Sequence, residues 1–384
     1  GKTKNQVDLS TNTFVTDTYD VEAQHLLKLG DKNSVVYGGS YRRYEIKKGA
    51  MVSENHLQDL FAFFLENEFK YTDNFSLITG ARYDTHPLIG DQISPRGAIV
   101  YSPIKDHIVR FSAGTAYQNP PFLYSYLYND NTLPMKEVVK NTPLPPMVEN
   151  WNVLIQGRGN LDLKPEKITS FEVGYQKICK NITGNVNVFF NEYKDFMGFR
   201  NYFSKTYPAP FTLFPQEIVG TYYNSGKADG FGGECGVDFA ATTWLTGLFN
   251  YAYNQIIDRE DDPYTTTINE KDKRKKSFPM HKFNAGLTSK SKDGVFVSVV
   301  AHYVSESKWD GSSTAGAIIG QTKPYTTVDM RIGYLAKNNI EISLAAFNLF
   351  NEEHYEFPSV NKGIAVYRVD KIGRRITAGI SYRF

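Results

Sequence analysis

The chain has 384 residues, 41% of them hydrophobic, with a mean hydropathy of −0.41, and no run approaches the roughly eighteen apolar residues that a membrane-spanning helix requires. A helical membrane protein is therefore excluded, whereas a membrane barrel, whose strands need only about nine to eleven residues with one apolar face, is not. A formal net charge of +2 gives no basis for a nucleic-acid partner, and two cysteines, Cys179 and Cys235, are too few for a zinc or iron–sulfur site.

The opening "GKTKNQVDLS" has no apolar core segment and is not a signal peptide; an exported protein would have lost one, or the chain begins inside a longer one. From there on, period-two alternation dominates, and no helical periodicity of any length competes with it. About fifteen strands are expected, near residues 13–29, 34–47, 56–71, 74–84, 93–102, 107–116, 166–179, 182–198, 226–241, 244–257, 280–290, 294–304, 324–335, 340–350 and 371–384. In "FEVGYQ", Phe171, Val173 and Tyr175 share one face, and Glu172, Gly174 and Gln176 the other. "LTGLFNYAY" groups Leu245, Phe249, Tyr251 and Tyr253. "VFVSVVAHY" groups Val295, Val297, Val299, Ala301 and Tyr303, which turns His302 toward the opposite side. "VDMRIGY" groups Val328, Met330, Ile332 and Tyr334. The chain closes on "GRRITAGISYRF", with Ile376, Ala378, Ile380, Tyr382 and Phe384 on one face and Arg375, Thr377, Gly379, Ser381 and Arg383 on the other. Cys179 and Cys235 fall on strands not expected to be neighbours, which argues against a disulfide.

The connections alternate in length. "GDKN", "YTDN", "SPIKDH", "KNITG", "ATT", "SKDG" and "AKNN" are short and rich in residues that tolerate tight turns. Long links fall between them, at 48–55, 85–92, 117–165, 199–225, 258–279, 305–323 and 351–370. Outer-membrane barrels have this asymmetry, with short periplasmic turns and long extracellular loops. The 26 Tyr and 26 Phe suit aromatic girdles at two membrane interfaces. The expected fold is thus all-β: a transmembrane antiparallel up-and-down barrel, greasy outside and polar within. A soluble propeller or sandwich is the alternative, but it has no reason to alternate its loops so regularly. An odd strand count does not close an up-and-down barrel. Either residues 1–12 hold a further partial strand or the chain is a piece of something larger, and the piece is the preferred reading.

Three stretches resemble the C-terminal part of TonB-dependent outer-membrane receptors. "GNLDLKPEKITSFEVGYQ" (Gly159–Gln176) resembles that family's entry into a barrel strand. "KPYTTVDMRIGYLAKNNIEISLAAFNLFNEEHYEF" (Lys323–Phe357) resembles its penultimate hairpin, including "NLFN" at Asn348–Asn351, and "GRRITAGISYRF" its terminal strand. "SPRGAIVYSP" and "RFSAGTAYQNP" are weaker echoes. The resemblance implies a 22-stranded barrel with a plugged lumen, of which residues 1–384 would supply about the last fifteen strands, the plug and first strands lying outside the chain. It implies active import of a bulky scarce nutrient of the ferric siderophore, haem or cobalamin class. The partners implied are the TonB–ExbB–ExbD complex acting through the plug, the lipid bilayer, and the outer-membrane assembly machinery. By position in the family motif, that machinery would recognise Ile380, Tyr382 and Phe384.

The ligand candidates lie in the long links: Tyr124, Tyr126, Tyr128, Trp151 and Arg158 in 117–165, and Trp309 in 305–323. Exposed rings and an arginine could hold a small-molecule metal chelate or a glycan by stacking and forked hydrogen bonds. Each ring could equally belong to the outer girdle or pack its own loop. Pro165 sits just ahead of a strand, where its missing N–H costs nothing, and the resemblance makes it and Glu166 structural markers rather than ligand groups. "DREDDP" (258–263) and "KDKRKK" (271–276) form a solvated pair of opposite charge runs, the basic one able to touch lipopolysaccharide phosphates. The seven histidines show no zinc spacing, and no phosphate loop or nucleophile–base pair stands out. No metal, no cofactor and no enzymatic activity are expected. A passive porin and a glycan-importing receptor are the alternative functions.

Overall fold

Alternating sequence over ten or more residues can satisfy its backbone only by pairing with a neighbour, and the short Gly- and Asn-rich turns make that neighbour the next strand. The computed structural model describes residues 2–9, 12–139, 144–259, 274–310, 319–336, 340–356 and 370–382. Its strands are β1 (Lys2–Leu9), β2 (Asn12–Leu29), β3 (Asn33–Ile46), β4 (His56–Thr72), β5 (Phe75–Asp84), β6 (Gln92–Tyr101), β7 (His107–Gln118), β8 (Tyr128–Pro134), β9 (Asn152–Arg158), β10 (Glu166–Ile178), β11 (Ile182–Thr206), β12 (Pro215–Ala240), β13 (Leu245–Asp258), β14 (His281–Lys290), β15 (Val295–Val304), β16 (Ser307–Asp310), β17 (Ile319–Thr322), β18 (Tyr325–Leu335), β19 (Ile340–Phe347) and β20 (Arg375–Tyr382). Two short helices, α1 (Phe122–Tyr126) and α2 (Met135–Val138), lie in the link between β7 and β10.

One 18-stranded sheet holds every strand except the β16–β17 ribbon. With β8 and β9 set aside, its other strands run as an antiparallel meander from β1 to β20. The meander has one strand more than expected, because residues 2–9 form β1 against β2. Among the described residues β1 and β20 do not pair with each other, so the curved ribbon is open along that seam.

The register joins the apolar rows into one continuous face. Val173 stands opposite Val188, Leu287 opposite Val299, Val299 opposite Met330, Ile332 opposite Leu344, and Ile342 opposite Ile380. Among the described residues no second protein layer covers these rows: Val21 is 66% exposed, Phe63 61% and Ile380 76%. A contiguous apolar surface of that extent requires another apolar phase against it. The other face is polar. Glu66 pairs with Arg96, Arg331 with Glu341, and His302 meets Asn284 at 2.7 Å and Asp329 at 3.4 Å. Rings cluster at both ends of the strands. Tyr71, Phe75 and Tyr101 lie by the short turns; Tyr41 with Phe61 and Phe283 with Tyr303 lie toward the long links. Cys179 and Cys235 are unbonded to each other.

The turns work as their residues suggest. Gly294 sits at φ +93°, where a Cβ would collide with the Leu335 carbonyl. In "NLFN", Asn348 and Asn351 adopt left-handed φ of 53° and 58°. The Asn348 side chain accepts from Glu352 N–H and donates to its carbonyl, closing the turn on itself.

The expected loop at 199–225 is instead mostly strand. β11 and β12 are 25 and 26 residues long, or roughly 80 Å at about 3.3 Å per residue, far more than a ~30 Å hydrocarbon layer needs. The turn-like text at Asp195 and Gly226 marks a break inside the strands rather than their end: both residues are left-handed, at φ 59° and 62°, and pairing skips them before resuming at Phe196 and Ser225. Above that break β11 and β12 pair with each other but no longer with β10 and β13.

Candidate functional site

The overhanging hairpin carries a second layer. β8 and β9 pair with each other, and β9 lies parallel to β12 over Leu154–Arg158 against Glu217–Thr221. Met135, Val153 and Ile218 form a buried apolar core there, with Ile155, Tyr207 and Phe214 packed around it. The "GNLDLKPE" segment stitches the link onto this platform. Asn160 donates to the Tyr222 carbonyl at 3.0 Å, Lys164 N–H donates to the Asn224 side chain at 2.7 Å, and Glu166 accepts from Met197 N–H at 2.6 Å, next to the break. Gly159 crosses so close to the Ser125 carbonyl that a Cβ there would overlap it. Glu166 thereby ties the start of β10 to β11.

The candidate residues divide into two groups. Tyr124 and Tyr126 bracket the mouth of the ribbon from α1. Tyr124 stacks on Tyr222 at 3.7 Å, and Phe199 meets Tyr222 edge-on at 5.0 Å. Burial pushes the Tyr222 hydroxyl up to about 12, with Tyr124 a smaller cause, so it remains a neutral donor. Tyr126 stacks on His56 at 3.8 Å and meets Phe122 at 5.0 Å, and Phe122 reaches Tyr44 of β3. Burial lowers the pKa of His56, favouring the neutral ring.

Tyr128, Arg158 and Trp151 belong to the upper layer. The Arg158 guanidinium lies 4.2 Å from the Tyr128 ring, 2.6 Å from Asp130, and donates to the carbonyls of Asn129 and Gly157. These contacts all lie within its own hairpin. Trp151 packs on Tyr207 at 4.5 Å and on Phe211 at 5.0 Å, fastening the layer to the tip of β11–β12. Trp309 lies on β16 opposite Gly320, with its side chain outside the described residues. Ile380 and Tyr382 stand on the apolar face opposite Ile342 and Ile340, and Phe384 lies outside the described residues.

Between α1 and the polar face of β2–β5 opens a cleft of about 470 Å³, lined among others by Arg42, Tyr44, Arg82, His86, Asn119 and Phe122. Arg42 is held by Asp20 at 2.5 Å and touches the Tyr44 hydroxyl at 3.2 Å; Arg82 lies 2.9 Å and 3.0 Å from the two Asp84 oxygens. Each guanidinium keeps further N–H donors for a ligand. His86 is buried, and its Nδ1 accepts from Leu88 N–H at 3.2 Å and Ile89 N–H at 3.4 Å. Burial lowers its pKa, consistent with a neutral ring that accepts at that nitrogen. These residues were not singled out in the sequence. Alternation places Arg42 and Arg82 on the polar face, but nothing local indicates that the 119–122 segment folds over them.

Comparison with known proteins agrees with this architecture. The family model for the TonB dependent receptor-like β-barrel matches residues 2–349. A probable TonB-dependent siderophore receptor, PirA, from Acinetobacter baumannii is 23% identical over 318 residues, spanning 76% of this chain and 39% of its own length. The crystal structure of that species' siderophore receptor PirA superposes with a TM-score of 0.69 at 18% identity, over 97% of this chain and 55% of the other. A mutant of the ferric enterobactin receptor PfeA from Pseudomonas aeruginosa gives 0.70 at 16%, over 96% and 54%. The chain thus spans about half the length, or less, of these relatives. It belongs to the TonB-dependent receptor family, of which it carries barrel strands, and it is an outer-membrane protein and not an enzyme.

Proposed function

We propose that the chain forms the wall and outer mouth of a receptor that imports a siderophore-type ferric chelate. The observation that carries this reading is the cleft under α1. It presents two guanidinium groups, each paired with a carboxylate but with N–H donors to spare, together with Glu22, a buried imidazole and aromatic faces, at the entrance to the polar side of the ribbon. Anionic, ring-bearing chelates are bound by that combination of forked donors and stacking surfaces. Relatives described as siderophore receptors support the same reading. A plug domain from the remaining part of the protein would close the lumen, and the TonB–ExbB–ExbD complex would supply the energy.

Growth of a strain carrying the full-length gene on single ferric chelates as sole iron source tests the substrate class. Binding of the supporting chelate to Arg42→Ala and Arg82→Ala proteins tests the cleft, with an expected loss on the order of tenfold to a hundredfold. Uptake that persists after the proton gradient is collapsed would favour a passive channel instead.

A further inference from the structure

The cleft under α1 holds two buried polar side chains with hydrogen-bonding capacity to spare. Gln58 is 5% exposed and His86 7% exposed, and both border the cleft. Among the described residues the Gln58 side chain has no hydrogen-bond partner, and neither has Nε2 of His86. Polar groups this buried are normally paired, because the water that would solvate them has been excluded.

The two lie on one face. Ala62 of β4 stands opposite Asp84 of β5, and Thr85 N–H donates to the Phe61 carbonyl at 2.8 Å, carrying the pairing past the end of β5. That register sets His86 opposite Leu60 and diagonal to Gln58, where Cβ atoms stand roughly 7–8 Å apart, so one small group can meet both. The His86 ring is fixed from behind. Its Nδ1 accepts from Leu88 N–H at 3.2 Å and Ile89 N–H at 3.4 Å, so the neutral ring carries its proton on Nε2 and offers a donor there. The Gln58 amide adds its own N–H donors. Neither group is charged. The charged donors of the cleft, Arg42 and Arg82, already face Asp20 and Asp84, and their remaining N–H groups suit anionic ring oxygens.

Taking a ferric chelate as the ligand of the cleft, we propose that Gln58 and His86 determine specificity by donating together to a neutral carbonyl of that chelate, the amide carbonyl next to an iron-binding ring. A carbonyl oxygen has two lone pairs and accepts both bonds. A chelate without the carbonyl leaves both buried donors unpaired, and that penalty selects against it.

The test uses the full-length protein, purified in detergent, and two ferric tripodal tris-catecholates. One has each ring joined to the scaffold through an amide, and the other has an ethylene group in place of each amide. Iron, rings and charge are the same. Equilibrium binding is followed by quenching of intrinsic fluorescence. The wild type is expected to bind the amide chelate at least about tenfold more tightly than the ethylene one. Gln58→Leu is expected to reduce that preference to about threefold or less, whereas a purely structural role would weaken both chelates alike and keep the ratio. Heat-modifiable gel migration reports whether the variant folds. Should it not fold, Gln58→Glu, which keeps the shape and replaces the donors by a carboxylate, is expected to lose the preference in the same way. Equal binding of the two chelates by the wild type, or an undiminished preference in the folded variant, overturns the proposal and leaves the ferric-chelate reading standing. Binding of neither chelate overturns both.

Discussion

The spanning ribbon and the overhang above it use the same residue types to opposite ends. Val153, in the overhang, is fully buried, whereas Val299, in the ribbon, is 38% exposed. Of the five fully buried large side chains among the described residues, Met135, Val148 and Val153 come from the link that folds onto β11 and β12, where water forces apolar groups together, while Ile46 and Val52 lie at the end of β3 and in the link after it. At mid-height of the ribbon the apolar rows point outward and pairs such as Glu66–Arg96 and Arg331–Glu341 inward, which is stable only when the outer solvent is hydrocarbon. One chain thus folds against two solvents, and the change occurs near the break at Asp195 and Gly226.

The largest expected effect sharpens that contrast. Val299→Arg places a charge at mid-height of the lipid face and should destabilise the barrel by about 2–4 kcal/mol, read as a lower urea midpoint in bilayers. The partner change, Met135→Ala, should cost a similar ~2–5 kcal/mol, but only in the overhang. Hydrogen exchange would show loss of protection over β8 and β9 while β13–β15 stay protected. A uniform loss would break the distinction between the regions. Glu166→Gln weakens a charge-assisted bond to Met197 N–H, and an effect of about 1 kcal/mol on closing rates at the break is expected by the same measurement.

The smallest effect is a pH response of the mouth. Burial holds the His86 pKa below its ordinary value, so as pH falls the unfolded or undocked segment takes the proton first. The ordered 85–91 link is therefore fully stable above about pH 6.5 and loosens as pH falls through that value toward the lower one. Protonation at Nδ1 also removes the acceptor for Leu88 and Ile89 N–H. Exchange of those two amides should rise at pH 5.5 in the wild type and be high at both pH values in His86→Ala.

Alternation made the ribbon legible in the sequence because a barrel strand has one neighbour on each side, and usually both are next in the chain. Val295 through Tyr303 and the polar orientation of His302 needed only that rule. The overhang breaks it. β9 pairs in parallel with a strand about sixty residues further on, a non-local choice that period two cannot express. Text such as "NSGK" marks a left-handed residue but not whether the strand resumes beyond it. Arg158 could be recognised as a forked donor, yet its partners Asp130, Asn129 and Gly157 depend on the β8–β9 register. The cleft residues Arg42 and Arg82 meet Phe122 only through the path of a long link.

Single cysteines placed at each position from 295 to 303 in the full-length protein, reconstituted in bilayers, address the two-solvent fold most directly. A fluorophore at the odd positions should be quenched by nitroxide on lipid chains, and one at the even positions by a water-soluble quencher. Loss of that alternation, or odd positions shielded from both quenchers, would mean that protein rather than lipid covers the valine face.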